Sequence, residues 1–109
     1  MHLYIGGKAQ GKRAYVEMAE GGGADIISDY QEVIRRQLRQ GQDPIECLRK
    51  LLSEKPDVVL ICDEVGYGVV PIEKEERDFR EAVGRTMCEA AQAARTVVRI
   101  VCGIGQRIK

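Results

Sequence analysis

The sequence predicts one α/β domain in which a mainly parallel sheet is flanked by helices, and three observations carry that reading. Short apolar runs alternate with segments whose apolar residues recur at helical spacing, as βαβ crossovers require. One run, Val58-Val59-Leu60-Ile61-Cys62, is continuously apolar and rich in β-branching, the pattern of a parallel strand buried on both faces. A glycine-rich turn follows the first apolar run and opens the first helix.

The elements follow in order. Leu3-Tyr4-Ile5 is a strand ended by Gly6-Gly7. A helix starts near Gly11 or Lys12 and runs to about Glu20, where Gly21-Gly22-Gly23 breaks it. Ala24 to Ser28 is a weak strand. From Asp29 the residues Tyr30, Val33, Ile34 and Leu38 mark a helix that Gly41 ends, with Asp29 as N-cap and Glu32 as its capping-box partner. Asp43-Pro44 starts the next helix, with Pro44 in the first position, where its missing N–H costs nothing; Ile45, Leu48, Leu51 and Leu52 form its buried stripe. Pro56 precedes the long apolar strand, which ends at Asp63-Glu64. Gly66-Tyr67-Gly68 and Pro71 make a loop, and the longest helix spans about Glu73 to Ala94 with Phe79, Val83, Met87, Ala90 and Ala94 on its apolar face. Arg77, Asp78, Arg80, Glu81 and Arg85 give that helix a solvated face. Val97 to Cys102 is the last strand. No repeat or linker interrupts the chain, so residues 1–109 are read as a single domain.

Composition bounds the function. A hydrophobic fraction of 44% in 109 residues suffices for a core, with one Phe and no Trp to build it. Seventeen Lys plus Arg balance seventeen Asp plus Glu, which removes any electrostatic case for a nucleic-acid or membrane partner. No apolar run is long enough to span a bilayer and the N-terminus lacks a signal-peptide pattern, so a cytoplasmic location is expected. The four cysteines form no Cys-x-x-Cys pair and there is one histidine, which argues against zinc and against a disulfide framework. Cys62 and Cys102 lie in apolar runs and read as small core residues.

Two motifs carry chemistry. Gly6-Gly7-Lys8-Ala9-Gln10-Gly11-Lys12-Arg13 matches the P-loop pattern Gly-x4-Gly-Lys-Ser/Thr at seven of eight positions, counting the free ones. Glycines let such a loop turn its N–H groups toward phosphate oxygens; the helix N-terminus adds its positive end, and Lys12 reaches the outer phosphates. The mismatch is Arg13, which stands where a hydroxyl would bind magnesium. The second motif is Asp63-Glu64 at the end of the apolar strand, which resembles a Walker B strand: there the Asp holds magnesium and the Glu positions or deprotonates the attacking group.

Asp63-Glu64-Val65-Gly66-Tyr67-Gly68-Val69-Val70-Pro71 resembles the pattern Asn-Glu-Val-Gly-x-Gly-x-Val-Pro. Arg77 to Gly84 and Val101 to Lys109 are similar to further strings of the same family, the adenosylcobinamide kinase/adenosylcobinamide-phosphate guanylyltransferases of cobalamin biosynthesis. The family's N-terminal signature, Gly-Gly-x-x-Ser-Gly-Lys-Ser, lies over Gly6 to Arg13. The resemblance is strong from about Val58 onward, partial over the first 16 residues and weak between. It implies a RecA-like P-loop fold, here trimmed, and an oligomeric enzyme that phosphorylates adenosylcobinamide from ATP or GTP. The family then transfers GMP through a guanylylated histidine.

The departures are specific. The segment that bears the family histidine is missing between Glu20 and Asp25, and the only histidine, His2, opens the first strand. Guanylyl transfer is therefore expected to be lost. Gln10 and Arg13 replace both signature serines, and Asp63 replaces the Asn. On the kinase reading, Lys12 steadies the β- and γ-phosphates, Asp29 or Asp63 holds magnesium, and Glu64 orients the acceptor hydroxyl. The alternative is a non-catalytic nucleotide- or partner-binding module on the same scaffold. Loss of a segment also leaves a sheet edge that a second copy would cover, so a homo-oligomer is expected.

Overall fold

The computed structural model describes residues 1–65 and 73–109; the predicted Gly66-Tyr67-Gly68 loop and Pro71 lie outside the described residues. The elements are β1 (His2–Gly6), α1 (Lys12–Glu20), β2 (Ile26–Ile27), α2 (Tyr30–Arg39), α3 (Pro44–Glu54), β3 (Val59–Asp63), α4 (Lys74–Ala93), β4 (Thr96–Val101) and β5 (Ile104–Arg107). The sheet has the order β2-β3-β1-β4-β5. Strand β1 is central, parallel to β3 on one side and to β4 on the other; β2 is parallel to β3, and β5 closes the far edge antiparallel to β4. The mainly parallel sheet is as the sequence predicts.

Alternation along β3 explains the layers. Leu60 and Cys62, with Val58 just before the strand, face a core built with Tyr30, Ile34, Leu48, Phe79, Val83 and Ala90 of α2, α3 and α4. Val59 and Ile61 face the other side, with Tyr4, Ile100 and Val16 of α1. Helix α1 thus covers one face and α2 to α4 the other, so β3 is buried on both faces. Asp43 caps α3 as expected, its carboxylate accepting from Ile45 N–H at 3.0 Å.

Three expectations are corrected. Asp29 does not cap α2 through its side chain. Its backbone adopts the left-handed region (φ 53°, ψ 47°), and its carbonyl, not its carboxylate, takes the Glu32 N–H at 2.8 Å, so no capping box forms. Cys102 is exposed rather than buried, because it sits in the turn after β4 with φ 51°. That turn starts β5, which the apolar pattern did not reveal. Cys102 and Gly103 both have positive φ, the geometry of a type I′ hairpin turn. Cys-Gly lacks the usual Asn-Gly signature of such turns.

Two predictions follow from the core. Leu60→Ala removes a fully buried side chain from the central layer and is expected to lower unfolding free energy by about 2–5 kcal/mol in denaturant titrations. Burial also pushes the Cys62 thiol up from 9.0 to about 12 and the Tyr30 hydroxyl up from 10.0 to about 12. Below about pH 9 both groups are protonated whether the chain is folded or not. Between about pH 9 and pH 12 the unfolded chain releases these protons first, so stability falls as pH rises. Urea midpoints measured across that range should decline; a flat or rising profile would contradict the burial of both groups.

Candidate functional site

The glycine loop joins β1, the central strand, to α1. It therefore opens at the carboxyl ends of β1 and β3, the place where open α/β sheets bind ligands. Ala9 and Gly11 lie in the left-handed region at φ 58° and φ 81°, a backbone conformation found in anion-binding turns. Gly6 has a packing reason to be glycine: a Cβ there would come within 2.5 Å of the Ile100 carbonyl oxygen and 3.2 Å of Lys12 Cδ. The end of β1 thus lies tight against its neighbour β4 and against the lysine stem.

Lys12 is buried, at 8% exposure. A charge so placed needs partners, and it has two. Its Nζ donates to the Gly7 carbonyl at 2.6 Å and pairs with Asp63 Oδ1 at 2.7 Å. The loop is also pinned from its far side: Gln10 accepts the Cys102 N–H on Oε1 at 2.7 Å and the Gly103 N–H on its backbone oxygen at 2.8 Å.

Of the eight predicted loop residues, Lys8, Ala9, Gln10, Gly11, Lys12 and Arg13 line one open cleft, together with Ala14, Ser28, Asp29, Ile61 and Asp63. Gly6 and Gly7 do not line it; they shape the path beneath it. The fold brings both predicted carboxylates, Asp29 and Asp63, to that cleft. Gln31 lies between them. Its Oε1 accepts the Asp63 N–H at 2.9 Å, and its Nε2 lies 3.5 Å from Asp29 Oδ1. Glu64 lines an adjoining cleft that shares Lys8, Asp29 and Asp63 with the first and extends to Arg80 and Phe79. Its carboxylate faces the Arg99 guanidinium at 3.0 Å, and its N–H donates to the Gly6 carbonyl at 2.7 Å.

Gln31, Ser28 and Arg99 were not singled out from the sequence. Arg99 carried a signal, a charge inside an otherwise apolar strand. Gln31 carried none, because its partners are distant in the chain. His2 lies at the end of β1 away from the loop, with Nδ1 2.6 Å from Thr96 Oγ1.

Magnesium favours hard oxygen donors and is commonly held by one or two carboxylates together with phosphate oxygens and water. Asp29 and Asp63 on one cleft supply such a pair. The described residues contain no group of three or more His, Cys, Asp or Glu side chains that could hold a metal alone. Two carboxylates suit magnesium only where other oxygens complete its shell.

Among the described residues no helix is long and apolar enough to cross a membrane. Two curated proteins are similar to this chain, both bifunctional adenosylcobalamin biosynthesis proteins CobU, one from Escherichia coli (strain K12) and one from Salmonella typhimurium (strain LT2). Each is 46% identical over 52 residues, which is 48% of this chain and 29% of the relative. The match thus spans well under half the length of either relative. A family model described as cobinamide kinase / cobinamide phosphate guanyltransferase matches residues 24–108, beginning after the glycine loop. With that match covering most of its length, the chain belongs to the CobU family, whose fold is of the P-loop type.

Proposed function

We propose that the chain binds ATP or GTP on its glycine loop and transfers the terminal phosphoryl group to the hydroxyl of adenosylcobinamide or a close corrinoid alcohol, as a step in cobalamin biosynthesis. The observation that carries this reading is the seat of Lys12, a buried cation at the mouth of a loop with two left-handed residues, at the carboxyl end of the central strands. Family membership supports the substrate class and weighs against a non-catalytic binding module.

On this reading the loop N–H groups and the N-terminus of α1 receive the phosphates. Lys12 leaves the Asp63 carboxylate for the outer phosphate oxygens, where charge builds in transfer. The acceptor enters by the adjoining cleft, and Glu64, held by Arg99, orients its hydroxyl for in-line attack. Asp29 and Asp63 would hold magnesium, which would supply neutralisation of phosphate charge. Guanylyl transfer has no nucleophile in this scheme, since His2 sits at the other end of β1.

Isothermal titration with ATP and GTP tests the reading. Wild type should bind, and Lys12→Ala should weaken binding by about tenfold or more, as expected for loss of a charge-assisted phosphate contact. Chromatography should then resolve adenosylcobinamide phosphate formed by wild type and not by Lys12→Ala. Equal binding by both proteins would overturn the assignment of the loop.

A further inference from the structure

Arg13 replaces the hydroxyl that P-loops use to hold magnesium, and the structure shows where its guanidinium goes. From the first turn of α1 it reaches across to Ser28, just past the end of β2, donating to Ser28 Oγ. Its Nε pairs with Glu17 Oε1 at 2.7 Å. Arg13, Ser28 and Asp29 line the same cleft as Lys12. Ser28 carries the only hydroxyl side chain among the described residues lining that cleft, and the guanidinium occupies it.

The charges in the cleft sharpen the point. The Lys12 charge is balanced by Asp63. Among the described residues Arg13 is ion-paired with Glu17 alone, through an i,i+4 pair whose members are 55% and 57% exposed. Such exposed pairs are weak. A phosphate oxygen offers a guanidinium a stronger, charge-assisted partner, and the planar fork suits it. A cation at this position also repels a divalent ion that approaches from the α1 side.

Resting on the nucleotide-binding reading above, we propose that Arg13 is a built-in counter-charge for the phosphates, so that nucleotide binding to this loop does not depend on magnesium. The metal's contribution is then confined to the transfer step. Arg13 is a specificity-determining residue for the form of nucleotide bound, metal-free as readily as metal-bound.

The test is equilibrium titration of the full chain with ATP and with GTP, each in EDTA and in excess magnesium chloride. It is run on wild type, Arg13→Ser and Arg13→Lys, with a thermal melt of each to confirm folding. Wild type should show the same affinity in both buffers. Arg13→Ser, which loses the cation and restores a hydroxyl, should bind about tenfold more tightly with magnesium than without. Arg13→Lys should behave as wild type. A wild-type affinity that drops about tenfold in EDTA overturns the proposal and leaves the nucleotide-binding reading standing. So does an Arg13→Ser variant that stays indifferent to magnesium. Failure of wild type to bind either nucleotide in either buffer overturns both.

Discussion

The ion pair between Lys12 and Asp63 is the constraint on which the rest of the site depends. It joins the first residue of α1 to the last residue of β3, two elements far apart in the chain. Lys12 is almost fully buried and Asp63 is 21% exposed, so neither charge is well solvated. Removing one partner of such a pair strands the other, which is more costly than the pair is favourable. The bond therefore fixes how the loop sits over the end of the sheet. It also holds the lysine on a carboxylate, a position that an incoming phosphate can take over.

Around that pair the loop is fastened on each side by backbone groups. Gly7 supplies a carbonyl to the lysine, and Gln10 takes two N–H groups from the β4–β5 turn. Gly11 faces that turn, where a Cβ would make only ordinary contact at 3.4 Å from Gly103 Cα; its glycine answers to its φ of 81° instead. The β4–β5 turn thus braces the loop through Gln10 without itself lining the cleft. Gln31 does comparable work on the other side, linking the Asp63 backbone toward Asp29. Pre-organisation of this kind lowers the cost of ordering a phosphate site at the moment of binding.

What the sequence made legible was local. The β3 run, the stripes of α2 to α4, the Asp43-Pro44 start of α3 and the loop from Gly6 to Arg13 each announce themselves within a few residues. So did the two carboxylates that reach the cleft. What stayed hidden depends on chain segments meeting in space. Asp29 reads as a cap by spacing, but its left-handed backbone withholds the side chain from the helix. Cys102 reads as core because it ends an apolar run, yet the run turns back at that residue to make β5. The partnerships of Arg99 with Glu64 and of Gln31 with Asp63 span 35 and 32 residues, and no local pattern encodes them.

The functional reading rests on one exchange, the lysine giving up a carboxylate for a phosphate. A double-mutant cycle of Lys12→Met and Asp63→Asn, read by denaturant unfolding with and without inorganic pyrophosphate, addresses it most directly. Without pyrophosphate the account predicts a coupling of about 1–3 kcal/mol between the two sites. With pyrophosphate bound, the coupling should shrink, because the phosphate then neutralises Lys12. Additive single mutants, within about 0.5 kcal/mol in the absence of ligand, or a coupling that pyrophosphate leaves untouched, would contradict the account.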